Sequence, residues 1–225
     1  MPQREVAYST NKYIVNAANA LSSKEILKKS FNSSNMIVFE SCCLSFLVKC
    51  FGPAELPPDQ REKIFFITEH NMKNFYLKST WGWDDETKRN ELFAPESRLL
   101  VCYLRNVKAR CDLRRHKSPP SLPVTSDDPC AFVHFRFEID AGRPILYCYE
   151  IQLHEKVRGF KLGRKLMDIL LKISIDNRMS RILLTVFKFN TVACTFFRKL
   201  GFKIDHTDPS KFGLCVDYSI LSRRP

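Results

Sequence analysis

Apolar and polar positions along the first third of the chain alternate with two different periods. Between residues 11 and 29 apolar side chains recur at near-helical spacing, which predicts an N-terminal helix with a break near Ser22 and Ser23. The run 36–51 is rich in β-branched and aromatic residues and predicts one strand. After a proline-rich loop, we expect a long helix capped by Asp59, and then a short helix with acidic residues 84–86 in its first turn.

The rest of the chain reads as strands first, and then as alternating strands and helices. A strand at 98–104 precedes the runs CAFVHFRFEI and PILYCYEIQL, which the turn 140–143 joins into a predicted hairpin. A helix at 162–178, a strand at 181–187, a helix at 191–199 and strands near 202–206 and 214–221 complete the order. This order predicts an α/β fold with a mixed sheet, in which residues 1–35 form a helical extension and residues 36–225 the main domain.

Prolines and cations are concentrated in one insertion, residues 105–128, which we expect to be an exposed loop. A solvated loop is the ordinary interpretation, and a nuclear-import signal or a contact with nucleosomal DNA is the alternative. Its cations are Arg105, Lys108, Arg110, Arg114, Arg115 and Lys117.

Composition narrows the class of protein. The chain has 225 residues, of which 44% are hydrophobic, and this is enough to build one sizeable core. Apolar runs stay below about 18 residues and the first residues lack a signal-peptide core, so we expect neither a membrane span nor secretion. Nine cysteines without a Cys-x-x-Cys pair indicate reduced thiols and no metal site. A net charge of +12 favours a polyanionic partner, such as nucleic acid or a phosphate-rich cofactor, although an ordinary basic surface fits equally well.

The stretch LYCYEIQLHEKVRGFKLGRKLMDILL (146–171) places a strand, a glycine-containing basic turn and a helix in succession. The first turn of a helix has unpaired N–H groups that bind anions, and Arg158, Lys161 and Arg164 add positive charge. A pyrophosphate therefore fits at 158–164, but many strand–helix connections carry glycine and lysine, so the turn alone is not specific.

A longer pattern adds specificity to this turn. The strand, turn, helix and strand are followed by Asn190-x-x-Ala193-x-x-Phe196-Phe197-x-x-Leu200-Gly201-Phe202, and this order resembles the GCN5-related N-acetyltransferase superfamily. The segments WGW (81–83), HFRFE (134–138), LYCYEIQL (146–153), LLTVFKFN (183–190) and YSILSRR (218–224) further resemble its histone-specific N-terminal acetyltransferases. The resemblance covers about residues 60–224 apart from the basic loop. It implies the superfamily fold, a mixed and mostly antiparallel twisted sheet flanked by helices.

The resemblance implies that acetyl-coenzyme A (acetyl-CoA) binds beside the strand and on the turn. Two positions depart from the superfamily pattern: Lys161 replaces a first glycine, and Phe197 replaces a tyrosine that protonates the leaving thiolate. Asn190 also has an ordinary role as a helix cap. The expected cofactor-binding residues are Tyr149, Glu150, Ile151, Arg158, Gly159, Phe160, Lys161, Leu162, Gly163 and Asn190.

Glu150 and Tyr149 are the expected catalytic residues. An α-amine titrates near about 8 and needs only modest help to lose its proton, which Glu150 takes directly or through a water. The alternatives are a surface glutamate, or a glutamate paired with a nearby lysine. Strict alternation places Tyr149 and Glu150 on opposite faces of a strand, so their joint use requires a β-bulge.

The substrate-binding residues follow from the same resemblance. Glu138 and Asp140 lie on one face of their strand, and two carboxylates suit the guanidinium of a tail that begins Ser-Gly-Arg-Gly. Packing in the core is the alternative for the aromatic residues of the set, and Thr207 replaces a serine of the family. The further expected contacts are Tyr76, Trp81, Tyr147, Thr185, Thr207 and Tyr218.

Taken together, the resemblance implies an enzyme that acetylates the N-terminal serine of histone four and histone two-A. We expect a monomer without metal, present in the nucleus and cytoplasm, that works by direct attack in a ternary complex. A covalent route through Cys148 fits less well, because no activating partner stands at a recognisable spacing. A lysine ε-acetyltransferase and a non-catalytic module that binds histone or nucleic acid are the alternatives.

Overall fold

The computed structural model describes residues 2–33, 36–42, 44–107 and 127–225. In this part of the chain eight strands form one sheet in the order β1-β2-β3-β4-β5-β6-β8-β7. The strands are β1 (Ile37–Ser41), β2 (Leu44–Phe51), β3 (Arg98–Val107), β4 (Pro129–Asp140), β5 (Arg143–Leu153), β6 (Ile182–Phe187), β7 (Lys203–Ile204) and β8 (Tyr218–Arg223). The helices are α1 (Pro2–Asn19), α2 (Ser23–Phe31), α3 (Pro58–Lys78), α4 (Asp85–Leu92), α5 (Leu162–Asp176) and α6 (Thr191–Lys199).

Every strand pair in this sheet is antiparallel except β5 with β6. The parallel ladder is short: it joins Leu146–Cys148 to Ile182–Leu184 and ends there, while β5 continues to Leu153. The expected mixed, mostly antiparallel sheet flanked by helices is therefore confirmed.

The sheet has a hydrophobic cluster on each face. The larger cluster unites one face with α1, α2, α5 and α6, and the smaller one unites the other face with α3 and α4. Strand β3 shows the division, since Leu100 and Cys102 belong to the first cluster and Leu99 and Val101 to the second. A strand covered on both faces reads as a continuous apolar run, as RLLVCYL does.

The two N-terminal helices pack against the sheet. The Asn11 side chain donates to the carbonyl of Gly142 at 2.8 Å, and residues of both helices belong to the larger cluster. The break predicted near residue 22 is confirmed: the Ser22 side chain accepts from the backbone N–H of Glu25, whose carboxylate accepts from the N–H of Ser22. This capping box starts a new helix where apolar periodicity is interrupted.

Two local predictions differ from the structure. The single strand expected at 36–51 is wrong, because the run forms the hairpin β1–β2, in which Ser41 pairs with Leu44. Cys42 adopts φ +55° between them, a left-handed conformation that glycine or asparagine usually marks in a sequence. Helix α3 begins at Pro58, so Asp59 lies in its first turn and does not cap it.

The predicted basic loop lies mostly beyond the described residues. Strand β3 runs on to Val107, and Arg105 is exposed within it. The predictions for Lys108, Arg110, Arg114, Arg115 and Lys117 fall outside the described residues. Within the described ranges, no helix combines the length and apolar character needed to cross a membrane.

Candidate active site

A cleft opens where β5 and β6 separate. It has a volume of about 810 Å³, which lies within the range of small-molecule sites. Residues 147–153 of β5 form one wall, residues 184–187 of β6 the other, and parts of α3, the turn before α5 and α6 close the sides. The cleft therefore lies at the end of the short parallel ladder.

A β-bulge directs two neighbouring residues of β5 into this cleft. His134 of β4 pairs with Glu150, and Phe135 pairs with Cys148, so Tyr149 is the extra residue between them. Both Tyr149 and Glu150 line the cleft, which confirms the predicted bulge. The bulge removes the conflict between strand alternation and the joint use of these residues.

Glu150 is buried, and both of its carboxylate oxygens have fixed partners. The Gln152 amide donates to Oε2 at 2.7 Å, and the Lys88 ammonium lies 3.3 Å from Oε1. Burial raises the pKa of Glu150, while the positive charge of Lys88 opposes this rise. A buried carboxylate with a raised pKa is suited to accept a proton near neutral pH. The pairing with a lysine that the sequence left open is thus present, but inside the protein.

Sequence reasoning missed Lys88. Its segment, DETKRNEL, reads as a short solvated helix, yet the Lys88 side chain is only 6% exposed. The ammonium donates to the Tyr76 hydroxyl at 2.6 Å and to Glu91 at 2.7 Å. Burial acts to lower the pKa of Lys88, but Glu150, Tyr76 and Glu91 outweigh it, so the pKa is raised and the charge is kept.

Two tyrosines of β5 have ordered hydroxyl groups beside Glu150. Tyr147 and Thr185 share a hydrogen bond of 2.6 Å, and the Tyr149 hydroxyl donates to Glu138 at 2.8 Å. Burial raises the pKa of Tyr147 to about 12 and also raises the pKa of Tyr149. Both phenols therefore stay protonated at neutral pH; Tyr149 donates to Glu138, whereas either hydroxyl can be the donor in the bond between Tyr147 and Thr185. Of the two predicted arginine-binding acids, Glu138 is the one bonded to a cleft residue, Tyr149, while Glu138 itself is not in the cleft lining.

Aromatic side chains gather at the mouth of the cleft, as the resemblance implied. The ring of Trp81 lies 6.1 Å from that of Tyr76 and 4.9 Å from that of Tyr218. The backbone N–H of Thr80 donates to Asp217 at 2.9 Å, which ties the α3–α4 connection to the start of β8. Tyr76 and Trp81 line the cleft, whereas Tyr218 packs against Trp81 and is not in the lining.

Asp140 and Thr207 belong to a different network. The Asp140 carboxylate accepts from the guanidinium of Arg181, whose Nε lies 3.3 Å from Asp205. The Thr207 hydroxyl donates to the same Asp205 at 2.8 Å. The structure thus gives Asp140 a guanidinium partner within the chain, and neither Asp140 nor Thr207 lies in the cleft lining.

The turn before α5 contains an anchored cation and two residues with positive φ. The Arg158 guanidinium donates to the carbonyl of Leu153 at 3.2 Å, so it is anchored to β5. Gly159 and Lys161 both have positive φ, +84° and +59°. Lys161 therefore adopts the left-handed conformation that glycine favours, at a cost of roughly 1–2 kcal/mol.

Helix α6 covers the start of α5 closely. A Cβ atom at Gly163 would lie 3.2 Å from Cζ of Phe196, so glycine permits this approach. Asn190 caps α6 by accepting from the N–H of Ala193 at 3.1 Å, and it also lines the cleft. Phe197 is buried in the cleft lining and has no proton to donate.

Most of the predicted cofactor residues are brought together. Phe160 is the exception, since its side chain is buried in the core and its carbonyl accepts from the hydroxyl of Ser41. Across the ranges that the structure describes, no group of three or more His, Cys, Asp or Glu side chains could hold a metal ion. The predicted cofactor-binding residues that line the cleft are Tyr149, Glu150, Ile151, Arg158, Gly159, Lys161, Leu162, Gly163 and Asn190.

Comparison with known proteins identifies the family and the fold. The model of the acetyltransferase (GNAT) family matches residues 72–202, which is more than half of the chain. One chain of the NatC complex bound to Gag peptide and CoA is similar, with 13% identity, 80% of this chain and 98% of that chain covered, and a TM-score of 0.52.

Two further solved structures share the architecture. Arabidopsis thaliana NAA60 in complex with a bisubstrate analogue has 12% identity, covers 79% of this chain and 97% of its own, and has a TM-score of 0.51. A GNAT-family acetyltransferase from Listeria monocytogenes has 13% identity, 84% and 100% coverage, and a TM-score of 0.53. At these identities the likeness shows the fold.

Proposed function

The chain belongs to the acetyltransferase (GNAT) family, and on that premise we propose that it transfers acetyl from acetyl-CoA to the N-terminal α-amine of proteins that begin with serine. The proposed substrates are the Ser-Gly-Arg-Gly tails of histone four and histone two-A, as for N-alpha-acetyltransferase D. The observation that carries the proposal is the bulge that brings Tyr149 and Glu150 into one cleft with the turn before α5.

The cleft has the features that acetyl-CoA requires. The turn at 158–163 offers an open backbone, the first N–H groups of α5 suit phosphate, and Arg158 and Lys161 add positive charge. The edge of β5 from Tyr149 to Leu153 faces the cleft and offers its backbone to the rest of the cofactor. When bound, acetyl-CoA supplies the acetyl group as an activated thioester.

Glu150 is the proposed proton acceptor. The α-ammonium of the substrate, with a pKa near about 8, gives its proton to Glu150 directly or through a water, and the neutral amine then attacks. Because the pKa of Glu150 is raised, it lies closer to the pKa of the substrate ammonium that gives up the proton. The protonated hydroxyls of Tyr147 and Tyr149 hold the walls of the site around this carboxylate.

Direct attack is favoured over a covalent enzyme intermediate. Cys148 lines the cleft but is buried, and burial raises its pKa well above the usual range for cysteine. A thiol needs its thiolate form to act as a nucleophile. Because Phe197 has no hydroxyl, we propose that the leaving thiolate takes its proton from solvent.

Glu138 is the proposed recognition group for the arginine at the third position of the tail. It lies beside the cleft through its bond with Tyr149, and its carboxylate suits a guanidinium. Asp140 is proposed to contribute to binding of the same arginine while its carboxylate remains paired with Arg181. We further propose that the protein acts as a monomer in the nucleus and cytoplasm.

Mass spectrometry of three peptides tests the proposal. After incubation with the protein and acetyl-CoA, the peptide Ser-Gly-Arg-Gly-Lys is expected to gain one acetyl group at the serine amine. A copy with a blocked α-amine is expected to stay unmodified, and a copy with alanine for arginine is expected to react more slowly.

The other outcomes identify the alternatives. Acetylation of the lysine in the blocked peptide would indicate a lysine ε-acetyltransferase. Equal rates for the arginine and alanine peptides would retain the enzyme and remove the role of Glu138. Acetyl-CoA binding without any product would indicate a non-catalytic module.

A further inference from the structure

Lys88 lies behind the wall of the cleft, where none of the proposed steps uses it. Its side chain is 6% exposed, and its ammonium has three partners within hydrogen-bond distance. These are Glu150 at 3.3 Å, Glu91 at 2.7 Å and the Tyr76 hydroxyl at 2.6 Å. All three partners line the cleft, whereas Lys88 does not.

A buried ammonium group is costly unless its protons are all satisfied. Lys88 has three N–H protons and three acceptors, so its position is fixed by the same groups that it holds. One of these groups is the proposed base, and another, Tyr76, belongs to the aromatic mouth. The Lys88 ammonium thereby contacts both the proposed base and an aromatic residue at the mouth of the cleft.

We propose that Lys88 is a positioning residue that keeps Glu150 ionised and aims its carboxylate at the substrate amine. This inference rests on the proposed function, since it assigns Glu150 the proton acceptor's role. Lys88 acts through Glu150 and does not itself touch the substrate.

The other groups around Glu150 do not replace this charge. Glu91 of α4 is negative and raises the pKa of Glu150 further. His134 of β4 is buried, and burial lowers its pKa, so its ring stays neutral. The titratable and charged groups that face Glu150 or its bond with Lys88 are Tyr76, Lys88, Glu91, His134, Arg136 and Cys148.

The pH dependence of kcat/KM with the serine peptide tests the role of Lys88. An opposite charge at this distance shifts a carboxyl pKa by about 1–3 units. In Lys88→Met the acidic limb of the profile is therefore expected to move to higher pH by about one unit or more. The loss of activity is expected to exceed about tenfold below the wild-type limb and to shrink as pH rises.

Two further variants separate the charge of Lys88 from its packing, and a third is a control at another lysine. Lys88→Gln keeps a hydrogen-bond donor without the charge and is expected to shift the limb as Lys88→Met does; it also serves if Lys88→Met does not fold. Lys88→Arg keeps the charge and is expected to retain the wild-type limb. Lys172→Met, at an exposed lysine of α5 paired with Asp176, is the matched control and is expected to change nothing.

A second readout does not depend on turnover. Infrared titration of the protonated carboxyl band, assigned with Glu150→Gln, is expected to show Glu150 ionising at higher pH in Lys88→Met than in the wild type. An equal loss of activity at every pH, with an unchanged titration, would overturn the inference. A wild-type protein that acetylates no α-amine would refute the proposed function, while the titration would still test the pairing of Lys88 with Glu150.

Discussion

Asp205→Asn tests how much stability the buried Arg181 network contributes. The side chains of Arg181 and Asp205 are 6% and 3% exposed, and their charged atoms lie 3.3 Å apart. Removing one partner of a buried ion pair costs about 3–5 kcal/mol, because the other charge remains buried. Asp140, which is 32% exposed, still pairs with Arg181, so we expect the lower end, about 3 kcal/mol.

Urea denaturation at pH 7 measures this loss directly. Thermal denaturation measures the same loss as a shift in melting temperature. For a chain of this size, 1 kcal/mol corresponds to roughly 2–4 °C, so the melting temperature is expected to fall by about 6–12 °C. Glu62→Gln is the matched control, since it removes a carboxylate from an exposed pair with Arg89. Its cost is expected to stay below about 1 kcal/mol.

The pH dependence gives the sign of the effect. Burial acts to raise the pKa of Asp205, but hydrogen bonds from Ser222 and Thr207 and the charge of Arg181 outweigh it, so the pKa is lowered. The stability that the carboxylate contributes is therefore complete above its unfolded pKa of about 4 and is lost as pH falls through the folded pKa. A loss at pH 7 no larger than that of Glu62→Gln would refute the reasoning.

Three further outcomes concern the cleft. Glu150→Gln is expected to lower kcat/KM by about 10²–10⁴-fold in a thiol-release assay, with binding of CoA retained in calorimetry. Glu138→Gln is expected to raise KM for the arginine peptide and not for its alanine copy. Asp140→Asn is expected to lower the melting temperature more than it raises KM. The reverse pattern would indicate that Asp140, and not Glu138, binds the arginine. Gly163→Ala places a Cβ 3.2 Å from Phe196 and is expected to weaken CoA binding roughly tenfold by calorimetry, and unchanged affinity would contradict this crowding.

The sequence predicted the parts of the fold and site that follow from local pattern. The β4–β5 hairpin follows from two alternating runs around one turn, and the bulge at Tyr149 follows from the need to direct two adjacent residues into one cleft. The aromatic residues Tyr76 and Trp81 line the same cleft as the turn before α5. Even Lys161 adopts the conformation expected of the missing glycine.

Features that depend on distant partners were not visible in the sequence. Lys88 is a polar residue of a polar helix, and its partner Glu150 is 62 residues away. Arg181 similarly pairs with Asp140 and Asp205, which lie on other strands or connections, so its role cannot be read from its own segment. The turn at Cys42 lacks the glycine or asparagine that usually marks a tight hairpin, so two strands read as one.

The short parallel ladder makes the sheet two leaves, β1–β5 and β6–β8, joined by three residue pairs. Beyond that seam, β5 borders the cleft as an edge strand inside the sheet, and edge amides exchange with solvent faster than paired ones. Residues of β5 and of β6 line the cleft, so a ligand that contacts both strands would connect the two leaves. Any ligand that binds only the folded protein adds about 2.7 kcal/mol to its stability at one hundred times the dissociation constant. Ligand binding in the cleft and the stability of the folded sheet are thus linked, and the folded state is most stable when the cleft is occupied.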